Sequence, residues 1–212
     1  MAARGTLGGM SDVAEWWEAF YVEGRGRWSG KVNAALVEEA EGLEPGRALE
    51  LGCGQGADAI WLAARGWEVV ATDVSAAALT KADEEARAAG VDVVWERRDL
   101  AEGLPDGPFD LVTTAFLHSP VELPRAEILR AAAERVAPGG TLLVIGHAPS
   151  EEHAHHDLQT ADETLAELAL PDDEWRVVTN ALRERTHTFA GEERAHARVD
   201  AILRLERRPA AG

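Results

Sequence analysis

Apolar positions along this chain follow two periods that alternate, and the alternation predicts most of its elements. Val13, Trp16, Trp17 and Phe20 recur at helical spacing behind Asp12 as N-cap, with Glu15 three residues on, so residues 12–22 are expected to form a helix that buries an aromatic stripe. A glycine-broken stretch, 24–30, follows, and then a second helix over 31–41 with Val32, Leu36 and Ala40 on one side. From Pro45-Gly46 onward, strand-length apolar runs alternate with amphipathic segments. Strands are expected at 48–51, 68–72, 91–96, 110–115 and 141–146, and helices at 57–65, 76–89 and 124–136. Ser75 and Gly90 bracket the 76–89 helix as cap and stop.

Strands separated by helices of this length form βαβ units, hence a mostly parallel sheet with helices on both faces. The end of the chain breaks the rule. After a helix capped by Thr160 and Glu163, two long segments, 175–188 and 195–207, have only the linker 189–193 between them, so they are expected to pair as an antiparallel hairpin. The fold expectation is therefore an α/β, Rossmann-like, seven-stranded sheet with a C-terminal antiparallel hairpin. Residues 1–10 read as a flexible leader, 11–44 as an N-terminal helical lid or substrate segment, and 45–208 as the ligand-binding domain. Trp61, Trp67, Trp95 and Trp175 are assigned to packing.

Composition narrows the function classes. The longest apolar runs, such as 142–145, are of strand size, which argues against a membrane span. The leader has no apolar core of the kind a secretory signal carries. A single cysteine, Cys53, excludes an intrachain disulfide and fits a reducing, cytoplasmic setting. The formal net charge of −17 disfavours nucleic acid and anionic membrane as partners, since both are bound by neutralising phosphates with Lys and Arg. A small-molecule substrate is the expectation; oligomeric state is not encoded in any readable pattern.

The chemistry-bearing feature is Glu50-Leu-Gly52-Cys53-Gly54-Gln-Gly56, where a buried strand turns into a helix. Glycines there let the backbone approach a ligand, and the helix start offers free N–H groups. Asp73, at the tip of the second strand, can accept hydrogen bonds from both hydroxyls of a ribose. Gly52, Gly54 and Ala57 also satisfy the dinucleotide pattern, so the glycines alone do not choose the cofactor. Three features do. Glu50, an acid inside the strand, suits a cationic amino-acid cofactor and repels a pyrophosphate; Asp99 offers a polar contact where an adenine would lie; the terminal hairpin is foreign to ordinary dinucleotide domains.

The block from Arg47 to Gly146, with ALELGCGQG, VVATDVS, RRDL, PFDLVTTAFLH and VAPGGTLLVIG in order, resembles the class I S-adenosylmethionine (SAM)-dependent methyltransferases over roughly half the chain. The N-terminal W-W-x-x-x-Y and R-W-S-G segments loosely resemble small-molecule members of the tellurite-resistance and thiopurine type. The resemblance implies SAM as cofactor and S-adenosylhomocysteine (SAH) as product. It implies that Gly52, Cys53, Gly54 and Gly56 contact the methionine part and that Glu50 helps hold its amino group. It places Asp73 on the ribose with Val74 against the adenine, Asp99 and Leu100 at the adenine edge and face, and Thr114 and Ala115 beside the sulfonium and methyl. Asp110 stands at the beginning of its strand, remote from the methyl.

Methyl transfer from a sulfonium is an in-line displacement, in which alignment and water exclusion are the main work. A hydroxyl acceptor additionally needs a base. His118, four residues past Thr114, is the candidate, and His147, just after the fifth strand, could line the same crevice. Tyr21, Arg27 and Trp28, around glycine hinges, are candidate lid or substrate contacts. The stretch from His147 to His156 holds four of the seven histidines, but its spacing matches no defined metal motif, and no metal is expected. Two other readings of the same turn are a nicotinamide-dependent oxidoreductase and a non-catalytic SAM-binding sensor or partner subunit.

Overall fold

A computed structural model describes residues 11–25, 30–149, 158–187 and 196–209. The leader, Arg27 and Trp28, His153, His155 and His156, and the hairpin linker lie outside these residues. In chain order the elements are α1 (Asp12–Val22), α2 (Ala34–Ala40), β1 (Arg47–Leu51), α3 (Ala57–Ala63), β2 (Glu68–Asp73), α4 (Ala76–Ala89), β3 (Val94–Arg97), β4 (Phe109–Ala115), α5 (Arg125–Glu134), β5 (Val136–His147), α6 (Ala161–Leu168), β6 (Trp175–His187) and β7 (His196–Arg207).

The strands form one seven-stranded sheet in the order β3-β2-β1-β4-β5-β7-β6. The first five are parallel, and β7 runs antiparallel between β5 and β6. This is the mostly parallel sheet with a terminal antiparallel hairpin that the pattern predicts. Alternate strand residues face two apolar layers. Ala48, Val69, Leu111, Leu143 and Ile202 pack with α2, α3 and α4, while Leu49, Val112, Leu142, Val144 and Leu203 pack with α5 and α6. Burial on both faces is why the central strands read as nearly continuous apolar runs. Because the chain winds from β1 out to β3 and then returns to place β4 on the other side of β1, the strand order reverses between β1 and β4. Open α/β sheets hold ligands at the carboxyl ends of strands at such a point.

Several boundaries differ from the pattern, each for a local reason. Ser11, not Asp12, caps α1, its side chain accepting from the Ala14 amide at 3.2 Å. Helix α2 begins only at Ala34, because Asn33 turns its side chain to cap the Ala35 amide at 2.9 Å. Strand β3 begins at Val94 and not Val91, since the Val91 amide donates back to Ala86 and closes α4 around Gly90. Strand β5 starts earlier than expected, with Val136 opposite Phe109 ahead of an irregularity that the glycines at 139–140 occupy. The capping box of Thr160 and Glu163 is as predicted.

Helix α1 departs most from expectation. Only Ala14 is buried in it, and Trp16, Trp17, Phe20 and Tyr21 are half-buried, packed chiefly on one another with centroids 4.8 to 6.1 Å apart. Its attachment to the rest of the chain is partly polar and bears on the site.

Candidate functional site

The turn after β1 lies at the switch point. The Cys53 amide donates to the Thr72 carbonyl at 2.9 Å, and the Gly54 amide donates to Asp73 Oδ2 at 2.8 Å, so the turn is stitched to the end of β2. Asp73 Oδ1 accepts from the Ser75 amide at 2.9 Å, which fixes the carboxylate as α4 begins. Gly54 and Gly56 both have positive φ, 54° and 78°. A Cβ on Gly54 would stand 2.7 Å from the Tyr21 hydroxyl, so the backbone there is closely overlaid by α1.

Three carboxyl groups are buried around this turn: Glu50, Asp58 and Asp73. Burial, then the charges of Asp58 and Asp73, push Glu50 well above the usual carboxylate range, although the Ala59 amide hydrogen-bonds to it. Burial pushes Asp58 up to about 6 against a 2.7 Å hydrogen bond from the Asn33 amide. Burial also raises Asp73, opposed by its backbone amides. The Cys53 thiol is pushed up by burial and by the same acids, so it stays a thiol and not a nucleophile. Glu50 Oε2 is buried and accepts no hydrogen bond among the described residues. An orphaned carboxylate oxygen of this kind carries a large desolvation cost unless a donor reaches it. The donor that fits is positively charged, since three mutually repelling acids favour a cation and repel a phosphate.

Helix α1 crosses this ground. The Ser11 hydroxyl donates to Asp99 Oδ2, and the Ser75 hydroxyl donates to Glu18 Oε2 at 2.7 Å, with the Ala77 amide on the same oxygen at 3.3 Å. Tyr21 overlies Gly54, its phenol kept protonated by burial and by the Asp73 charge. One helix therefore spans from the loop after β3 to the glycine turn.

The other expected residues are placed as follows. The Val74 carbonyl accepts from Arg97 Nε at 3.0 Å. Asp99 Oδ1 accepts from the Ala101 amide at 3.0 Å, and Leu100 leans on the α5–α6 layer. The Thr114 hydroxyl donates to the Leu51 carbonyl at 2.9 Å, tying β4 to the turn, and Ala115 packs in the α2–α4 layer. Asp110 holds the other end of β1, accepting from the Arg47 amide at 2.8 Å. Near that far end a shallow hollow of about 460 Å³ opens between Asp106, Glu134, Arg135 and Arg207.

Beyond β4 the chain leaves through Phe116, a non-glycine residue at φ 58°. Leu117 Cδ1 lies 3.0 Å from where a Cβ on Gly52 would be, so this loop touches the glycine turn. His118 Nε2 accepts from the His147 amide at 3.2 Å, and the His147 ring stacks on Phe116 at 4.2 Å and on His118 at 5.7 Å. Behind His147 stand Asp200 from β7 and Arg185 from β6, the latter 2.6 Å from Asp200 Oδ2. Sequence reasoning missed Asp58, Ser11, Glu18, Asp200 and Arg185. Asp200 had a usable signal, an acid inside the apolar strand Val199-Asp-Ala-Ile-Leu203, the same mark that singled out Glu50. Among the described residues, no three His, Cys, Asp or Glu side chains gather as a metal site would require.

Comparison with known proteins bears on this geometry. Residues 48–140 match a family model described as a methyltransferase domain. The ribosomal RNA small subunit methyltransferase C of Alcanivorax borkumensis is 35% identical over 85 residues, 39% of this chain and 26% of that protein. The ubiquinone biosynthesis O-methyltransferase of Marinobacter nauticus is 32% identical over 112 residues, 51% of this chain and 47% of that protein. The chain thus spans less than half the length of these curated relatives. A solved structure described as "Conversion of a Disulfide Bond into a Thioacetal Group during Echinomycin Biosynthesis" superposes with a TM-score of 0.73 at 22% identity, over 93% of this chain and 94% of that one.

Proposed function

We propose that this chain, whose residues 48–140 form a methyltransferase domain of the class I SAM-dependent kind, moves a methyl group by in-line displacement onto a heteroatom of a small molecule. The observation that carries the reading is the orphaned, buried Glu50 Oε2 among three acids at the glycine turn. SAM supplies an electrophilic methyl on a positively charged sulfur, and its ammonium is the charged donor that Glu50 lacks. In this reading Asp73 takes the ribose hydroxyls, Asp99 the adenine edge, and Leu100 and Val74 its faces. Residues 11–44 act as a lid over the domain at 45–208, with Tyr21 closing over Gly54 and excluding water from the reacting centre.

The acidic trio argues against the nicotinamide reading, since a pyrophosphate placed beside it would be repelled. Net charge of −17 and the O-methyltransferase relative favour a small acceptor over nucleic acid, although the ribosomal RNA relative shares the same domain. A cytoplasmic setting is supported by the single cysteine; no helix among the described residues is long and apolar enough to cross a membrane. The test is thermal shift followed by a methyl-transfer screen. SAH is expected to raise Tm and NADH to leave it unchanged; the reverse would replace this reading with the oxidoreductase. SAH binding with no transfer to any thiol, phenol or amine would leave a SAM-binding sensor.

Glu50→Gln separates stability from binding. The folded-state pKa of Glu50 is raised, so its contribution to stability is fully present below the unfolded carboxylate range and is lost as pH rises through the folded value. The ligand-free variant is therefore expected to melt higher than the wild type, by a margin that grows as pH rises above the usual carboxylate range. SAM affinity is expected to fall by about tenfold or more, the loss of a charged hydrogen bond. Calorimetry with SAM checks the second half, and equal affinity for both proteins would remove Glu50 from the cofactor site.

A further inference from the structure

We infer that Asp58 and Glu50 together form the seat for the cofactor's ammonium group, a buried carboxyl pair that holds a proton while the seat is empty and gives it up to solvent when the ammonium enters. This rests on the methyltransferase reading above. It adds a second acid, from α3, and a linkage between cofactor binding and pH.

Glu50, near the end of β1, and Asp58, in the first turn of α3, stand on the two sides of the glycine turn and are 4% and 9% exposed. Of the acids around Glu50, Asp58 exerts the larger charge effect and Asp73 the smaller. Each member of the pair is held by one backbone amide. The Ala59 amide donates to Glu50, and the Asn33 amide donates to Asp58 Oδ1 at 2.7 Å. Glu50 Oε2 is then left buried with no hydrogen bond among the described residues. The titratable groups facing the pair are Asp73 from the end of β2 and the Cys53 thiol from the turn. Beyond Asp73 stand Tyr21 and Glu18 of α1, and Arg97 of β3 acts on Glu18. From α2 the contact is the neutral Asn33 amide. The groups that act directly on Glu50 are thus acids and one amide.

Two carboxylates that repel one another in a buried site do not both ionise without a cation, so the empty pair keeps a proton. Burial and the Asp58 charge raise Glu50 well above the usual carboxylate range, whereas Asp58 is pushed up only to about 6. At neutral pH the retained proton is therefore chiefly on Glu50, with Asp58 ionised beside it. An ammonium brought against Oε2 supplies both the missing donor and the missing charge. The exchange balances: the empty site is one carboxylic acid and one carboxylate, the filled site is two carboxylates around one ammonium, and one proton passes to solvent. Because the filled state binds fewer protons, affinity rises with pH wherever the empty pair is protonated, by up to about tenfold per pH unit for one proton. It levels off once the empty pair is ionised. A ligand without the ammonium drives no such exchange.

The experiment is calorimetry of the full chain at neutral pH in phosphate and in Tris, whose ionisation heats differ, so that the difference in measured heat counts the protons released. The probes are SAH and 5′-methylthioadenosine, which keeps the nucleoside and thioether and lacks the amino-acid end. SAH is expected to release about one proton and 5′-methylthioadenosine about none. Glu50→Gln is expected to bind SAH without proton release. Asp58→Asn keeps an acceptor for the Asn33 amide and removes the charge, so Glu50 ionises at lower pH. Release on SAH binding is expected to fall by at least about half in that variant, and the pH at which SAH affinity levels off to move down. The two ligands on the wild type need no variant and decide the matter if either variant fails to fold. Equal SAH heats in the two buffers, equal release with both ligands, or full release in Glu50→Gln or Asp58→Asn overturns the assignment. Failure of the wild type to bind SAH overturns the methyltransferase reading itself.

Discussion

Gly56→Val is expected to remove measurable SAH binding and to lower Tm by on the order of 10 °C. Gly56 caps α3 with φ 78°, a conformation that a β-branched residue adopts only with strain of about 1–3 kcal/mol. Space is equally short. A Cβ there would lie 2.5 Å from Trp95 Cη2 and 2.9 Å from the Ala82 Cβ. Trp95 packs into the α2–α4 layer, so the indole yields only by disturbing the core, at a further cost of about 1–3 kcal/mol. Each kcal/mol moves Tm by about 2–4 °C in a domain of this size. Binding suffers more than stability, because any relief shifts the first turn of α3 and the backbone that Asp73 holds through Gly54. Gly42→Ala is the control, with nothing within 4 Å of its Cβ and no positive φ. Normal SAH affinity in Gly56→Val would show that the turn is structural and the cofactor lies elsewhere.

The fold was legible because burial on both faces of a parallel sheet leaves a strong mark. Runs such as 69–71 and 142–145 are apolar throughout, and caps such as Ser75, Gly90 and Thr160 announce their helices locally. What failed to show were features that depend on distant partners. Nothing near Val91 says that its amide closes α4, and nothing near Trp16 says that α1 rests on polar contacts to Ser75 and Asp99. The aromatic stripe of α1 has the spacing of a core helix, yet its rings are only half-buried and pack on one another.

The site divides along the same line. The glycine turn, Glu50 and Asp73 form a local pattern, and the structure brings them together. Asp58 looks like an ordinary acid in the first turn of a helix, where it would stabilise the N-terminus; only the fold shows that it is buried beside Glu50 and opposes it. His118 and His147 were visible, but not Asp200 beside His147, which is 53 residues beyond it and reaches it only through the antiparallel pairing of β5 with β7. Arg185, from β6, anchors that carboxylate, a contact that only the pairing of β6 with β7 brings about.

Asp73→Ala is expected to weaken SAH binding by at least about 100-fold, the largest loss from any single side chain at the cofactor site. The carboxylate does two things that alanine cannot. It accepts the Gly54 and Ser75 amides at 2.8 and 2.9 Å, and on the proposed function its remaining lone pairs accept from a ribose diol. Without it, two buried amides lose their partner, each at about 1–3 kcal/mol, and the turn is no longer stitched to β2. Removing a buried acid whose pKa is raised gives back part of that stability at neutral pH, because its charge no longer needs to be desolvated. Affinity is therefore expected to fall by more than stability does. The ribose contact is separated from this general loosening by ligand, not by protein. The wild type is expected to bind the 2′,3′-dideoxy analogue of SAH far more weakly than SAH, and Asp73→Ala to bind the two alike. If the variant still prefers SAH by the wild-type factor, the ribose is held by another residue and Asp73 serves only to brace the turn.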